Sequence, residues 1–145
     1  MSAKILLVED DPSLGFVIKD NLTLKGYDVM LCENGADGYK AFQDKPFDLC
    51  ILDVMMPEQN GFDVCLELRR LPEGKSTPIL MITSLDDVES IDRAYQVGAT
   101  DFVTKPFNWP LLCHRLRYML RSSRAMADLN KSRETLADAQ RLAGL

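Results

Sequence analysis

The sequence predicts an α/β fold built on a five-stranded parallel sheet, on the strength of three observations. Five short apolar runs, at 4–8, 27–32, 49–52, 79–82 and 101–104, have the length of strands rather than of helices. Stretches with helical spacing and capping residues alternate with them. The first, third, fourth and fifth runs give way at once to Glu9, Asp53, Thr83 and Lys105, as strands do when they emerge from a core. Alternating strands and helices imply right-handed crossovers, helices on both faces, and all C-terminal strand ends on one edge.

In order, Lys4 to Val8 (KILLV) is a buried strand that delivers Glu9, Asp10 and Asp11 to that edge. Asp11 before Pro12 is an N-cap with proline at the first helical position. It opens a helix to about Lys25, stopped by Gly26, whose inward face is expected to carry Leu14, Val17, Ile18, Leu22 and Leu24. Tyr27 to Cys32 is the second strand, and Asn34-Gly35 turns into a helix over roughly 36–43. The third strand, Leu49 to Leu52, is continuously apolar, as a strand covered on both faces must be, and Asp53 stands at its mouth before Pro57 and Gly61. A helix over 62–71 should turn Phe62, Cys65, Leu66 and Leu68 inward, broken by Pro72 and Gly74. Ile79 to Ile82 ends at Thr83. Asp86 or Asp87 caps the next helix, which runs to Val97, and Asp101 to Thr104 ends at Lys105. A final helix starts near Asn108.

At 145 residues, 46% hydrophobic and 27% charged, the chain reads as a soluble domain with a short appendage. No apolar run spans a bilayer and the acids come too early for a secretory signal, so a cytoplasmic address and no membrane contact are expected. Cys32, Cys50, Cys65 and Cys113 lack the paired spacing of zinc or redox motifs and read as small core residues. Residues 1–104 carry nine Lys and Arg against nineteen Asp and Glu, whereas 105–145 carry eight against three. An acidic body with a basic tail predicts no direct nucleic-acid binding by this segment. His114 reads as a surface residue.

Glu9, Asp10, Asp53, Thr83 and Lys105 thus converge at four strand ends on one edge. Three clustered carboxylates repel one another, and a hard divalent cation such as Mg²⁺ relieves them. The ion and Lys105 would neutralise a phosphoryl group, and the Thr83 hydroxyl could donate to it.

The segments LLVEDDP, CILDVMMPEQNGFDV, ILMITS and DFVTKPF resemble the receiver domains of bacterial two-component response regulators, over about Lys4 to Arg121. The resemblance implies a flavodoxin-like, doubly wound sheet of order 2-1-3-4-5. In it Asp53 takes a phosphoryl group from a sensor histidine kinase or phosphotransfer protein, and Glu9, Asp10, Asp53 and the Met55 backbone carbonyl hold Mg²⁺. Thr83 and Lys105 match the switch hydroxyl and phosphate-pairing lysine, Phe102 the aromatic switch, and Lys105-Pro106 a bond that is cis in the family. Residues 1–121 are then the receiver and 122–145 a helical extension, either a linker to an output module or the tail of a stand-alone receiver.

The resemblance also implies a signalling switch rather than an enzyme: the domain assists its own phosphorylation and slow dephosphorylation and turns over no separate substrate. Phosphorylation is expected to shift Thr83, Phe102, the face of the fourth helix, fifth strand and fifth helix, and the C-terminal helix. An aspartyl-nucleophile phosphohydrolase would use the same Asp53, Mg²⁺ and lysine, but such enzymes usually place a second Asp where this chain has Met55. A flavin binder would need a Ser/Thr/Gly-rich loop after Val8, where three acids stand. A phosphorylation-independent dimerisation module would not need the full set of acids, hydroxyl and lysine. Met55 and Leu85, two residues past Asp53 and Thr83, offer no group to orient water, so a long-lived phosphorylated state is expected. A heptad seam through Met119, Ser122, Met126, Leu129, Arg133, Leu136, Gln140 and Ala143 fits either a marginal coiled-coil homodimer or a lone solvated helix.

Overall fold

A computed structural model describes residues 2–85 and 87–143. Its elements are β1 (Lys4–Val8), α1 (Pro12–Leu24), β2 (Asp28–Cys32), α2 (Gly35–Asp44), β3 (Leu49–Asp53), α3 (Gly61–Arg70), a 3-10 turn (Pro72–Lys75), β4 (Ile79–Thr83), α4 (Val88–Gln96), β5 (Asp101–Thr104) and α5 (Trp109–Ala143). The sheet is parallel throughout with order β2-β1-β3-β4-β5. Among the described residues no helix is long and apolar enough to cross a membrane.

Strand periodicity divides the core in two. Ile5, Leu7, Leu49, Ile51, Leu80 and Ile82 face α1 and α5, while Leu6, Val8, Cys50, Leu52, Ile79 and Met81 face α2, α3 and α4. The residues of β3 and β4 are all buried, which explains their unbroken apolar sequence. Cys32, Cys50 and Cys65 are core residues, and burial raises the thiol pKa of Cys65 to about 11.

Caps act where the chain enters each helix. Asp11 accepts from Ser13 N at 3.0 Å, Asn34 from Asp37 N at 2.8 Å, Asn60 from Asp63 N at 3.0 Å and Asp87 from Ser90 N at 3.0 Å. Asp87 is thus the cap of α4; Asp86 lies outside the described residues. Gly98, just past α4, has φ +105°, a left-handed conformation suited to glycine.

Three expectations about helix faces need correction. Val17 is 42% and Leu24 79% exposed, because α1 turns Gly15, Ile18 and Leu22 to the sheet; a Cβ at Gly15 would stand 3.0 Å from Leu31. Leu66 is exposed in α3, and Val64 takes its place inside. Met119 is buried against the sheet, so it belongs to the core and not to an outward seam. From Arg124 to Arg141 every residue of α5 is exposed. At about 1.5 Å per residue this exposed stretch of α5 is about 30 Å long.

Candidate functional site

Backbone pairing fixes the site before any side chain enters it. Glu9 N donates to Cys32 O at 3.0 Å, Val54 N to Ile82 O at 3.0 Å and Lys105 N to Thr83 O at 2.8 Å. These bonds carry the strand ladders past their last residues, so the groups beyond them leave the sheet at one level. The Lys105-Pro106 peptide is cis, as the resemblance implied.

Glu9 and Asp53 are almost wholly buried, and Asp10 is half-buried beside them. Carboxylate oxygens of all three lie within 4.8 Å of one another. The Lys105 ammonium reaches Glu9 Oε1 at 3.3 Å and Asp53 Oδ1 at 3.4 Å. Asp53 Oδ1 also accepts from Met55 N at 3.3 Å. One ammonium thus faces three acids. Burial, together with the neighbouring Asp53, raises the pKa of Glu9 to about 8, and the same two causes raise that of Asp10. Glu9 Oε2 is buried without a hydrogen-bond partner. An orphaned oxygen in a cluster of hard oxygen donors with excess negative charge fits a divalent cation such as Mg²⁺.

Gly61 closes the loop behind Asp53. Its N–H donates to Val54 O at 2.9 Å, and a Cβ there would overlap the Asp53 backbone carbonyl, so any side chain would force the Asp53–Val54 backbone to shift. The sequence marked Gly61 as a turn residue; its close approach to Asp53 emerges only from the fold. Thr83 is fully buried at the end of β4, where its Oγ1 accepts from Leu85 N at 3.1 Å. Phe102, paired with Met81 in the ladder, lies outside the polar cluster and packs partly buried on the α2–α3–α4 side. Met55 is 56% exposed, and with Leu85, Asn60 and Arg93 it borders a groove of about 500 Å³. The structure therefore brings Glu9, Asp10, Asp53 and Lys105 together, places Thr83 on the adjoining strand end, and leaves Phe102 apart.

Residues 5–117 match the family model described as the response regulator receiver domain. The chain is 39% identical over 121 residues to the transcriptional regulatory protein RprY of Bacteroides fragilis, covering 83% of this chain and 50% of that protein. It is 39% identical to the regulatory protein VanRB of Enterococcus faecalis, over 88% of this chain and 56% of the relative. The chain thus spans about half the length of these curated relatives. Among solved structures, the chemotaxis protein CheY4 of Vibrio cholerae superposes with TM-score 0.79 and 34% identity, over 82% of this chain and 99% of that one. The receiver domain of a Pseudomonas aeruginosa sensor histidine kinase, solved with a magnesium ion coordinated in its active-site cleft, superposes with TM-score 0.77 at 28% identity, over 83% of this chain and 98% of that one. By fold, sequence and the acids gathered at its sheet edge, the chain belongs to the response regulator receiver domains of two-component systems.

Proposed function

We propose that Asp53 is the phosphoacceptor of this receiver, with a sensor histidine kinase or phosphotransfer protein of the cytoplasm as donor. The observation that carries this is the buried Asp53 carboxylate, 3.4 Å from the Lys105 ammonium and beside two further acids, one with an unpartnered oxygen. An Asp53 oxygen forms the new bond to phosphorus as the P–N bond to the donor imidazole breaks, and the electron pair stays on that nitrogen. Lys105 holds charge on the transferred group, and Glu9, Asp10, Asp53 and the Met55 carbonyl would hold Mg²⁺. When bound, the ion neutralises charge on the phosphoryl oxygens.

The product is an acyl phosphate with about two negative charges. Thr83 can release Leu85 N and turn its hydroxyl toward that charge, leaving room for Phe102 to move inward. Residues 1–121 carry this switch and 122–145 its readout, through exposed Met126, Leu129 and Leu136 meeting a second copy.

Incubation with a small phosphodonor and Mg²⁺ should add one phosphoryl group by intact mass, and none to Asp53→Asn; full labelling of that variant overturns the assignment. Crosslinking of Leu129→Cys should rise with beryllofluoride, and equal yields would detach the helix from the switch.

A further inference from the structure

The structure assigns a second anion-binding site to this chain, one that takes a phosphate group at the opposite edge of the sheet from Asp53. A hollow of about 310 Å³ lies where the chain enters β1 and β2. Arg117, Arg121 and Arg124 line it, at i, i+4 and i+7 on α5 and therefore on one stripe of the helix. Ser2 and Tyr27, both hydroxyl-bearing residues, border it too, and buried Leu120 is part of its apolar lining.

Three like charges on successive turns repel one another, and among the described residues no carboxylate pairs with them. Among the described residues none of the three arginines makes an ion pair, and no carboxylate borders the hollow. Arg115 on the same helix behaves differently: its Nη1 holds both Asp101 oxygens at 2.9 Å. Charge is therefore matched on one side of α5 and left unmatched on another. Guanidinium groups donate and do not accept, so the hollow has abundant donors and no acid to receive them, a chemistry that selects an anion. This positive cluster sits on a chain of net charge −5. Its volume falls at the small end of ligand pockets, which suits a phosphate ester or diphosphate better than a polymer. The forked geometry of arginine suits phosphate oxygens. Gly26 leaves one side open, since no atom lies within 4 Å of where its Cβ would stand.

The phosphate group can belong to a soluble metabolite or to a lipid headgroup, and two arms separate them. In the first, the full chain is titrated calorimetrically with pyrophosphate in EDTA without Mg²⁺. Saturable one-to-one binding is expected, weakened about tenfold by Arg121→Gln and further by Arg117→Gln/Arg121→Gln, and unchanged by Asp53→Asn. In the second, the chain is floated with phosphatidylcholine vesicles with and without phosphatidic acid; capture by the acidic vesicles alone, lost in the double variant, identifies a headgroup as the source. All three arginines are exposed, so thermal unfolding of the variants should match the parent. Binding of neither probe overturns the site. So does binding that survives the double variant, or that Arg141→Gln on the projecting helix weakens equally. Because Asp53 and Mg²⁺ play no part, failure here leaves phosphorylation untouched.

Discussion

Two sets of partly buried charge sit at opposite edges of one sheet, and they are satisfied to different degrees. At the C-terminal edge Glu9, Asp10 and Asp53 share one ammonium, and an oxygen of Glu9 has no partner. At the N-terminal edge Arg69 of α3 donates to Gly98 O at 2.9 and 2.7 Å, to Gly74 O at 2.7 Å, to Thr77 O and to Thr100 Oγ1. Carbonyls and one hydroxyl absorb that cation completely, and it ties the ends of α3 and α4 to the start of β5. The lesson is that saturated polar groups serve as architecture, while an unsaturated cluster waits for something to bind.

The sharpest way to break the comparison is Arg69→Ala. It removes several charge-assisted hydrogen bonds and leaves carbonyls with no donor, so a loss of about 3 kcal/mol is expected. For a chain of this size that is a fall in Tm of about 10 °C, readable by calorimetry. The folded fraction should still be labelled at Asp53, and loss of labelling there would show that Arg69 belongs to the switch.

Glu9→Gln should do the reverse without metal. A carboxyl whose folded pKa is raised from 4.5 to about 8 gives stability that is complete below the unfolded value and lost as pH climbs through the folded one. The amide has no such loss, so metal-free variant and parent should diverge between these limits, the variant becoming the more stable by about 2 kcal/mol near pH 8. Mg²⁺ should raise the Tm of the parent more than that of the variant. Parallel pH profiles would mean that Glu9 already has a partner.

Met55→Asn/Leu85→Glu probes the same edge once it is phosphorylated. Polar groups at these positions can orient water, so decay after donor removal should be about tenfold faster, about 1.4 kcal/mol in barrier. Unaltered decay would remove water access from the account of the phosphoryl lifetime.

The acids and Lys105 were legible in the sequence because parallel strands leave long apolar runs that can only end at the sheet edge, where charge stands out. Arg69 was not legible: an arginine near the end of a helix reads as solvated, and only the folded chain gathers the carbonyls of 74, 77 and 98 around it. Helical spacing also put Val17, Leu24 and Leu66 inside, since periodicity gives an apolar stripe but not how much of it the sheet can cover. Tight contact at Gly15 narrows that coverage on α1. In the linear sequence Arg117, Arg121 and Arg124 are three charges of a basic tail, because nothing there says which of them share a hollow.

α5 starts four residues after Lys105 and runs unbroken to Ala143, its first turns bedded on the sheet and its last exposed. Mechanically its exposed stretch is a pointer pivoted near Arg124, at the edge of the sheet opposite Asp53, while its first turn lies near Lys105. With about 30 Å of exposed length at about 1.5 Å per residue, a tilt of about 10° at the pivot sweeps the tip through about 5 Å. A displacement too slight to disturb the core would thus reach the far end as a movement the width of a side chain, and the stiffness of that one helix sets the gain.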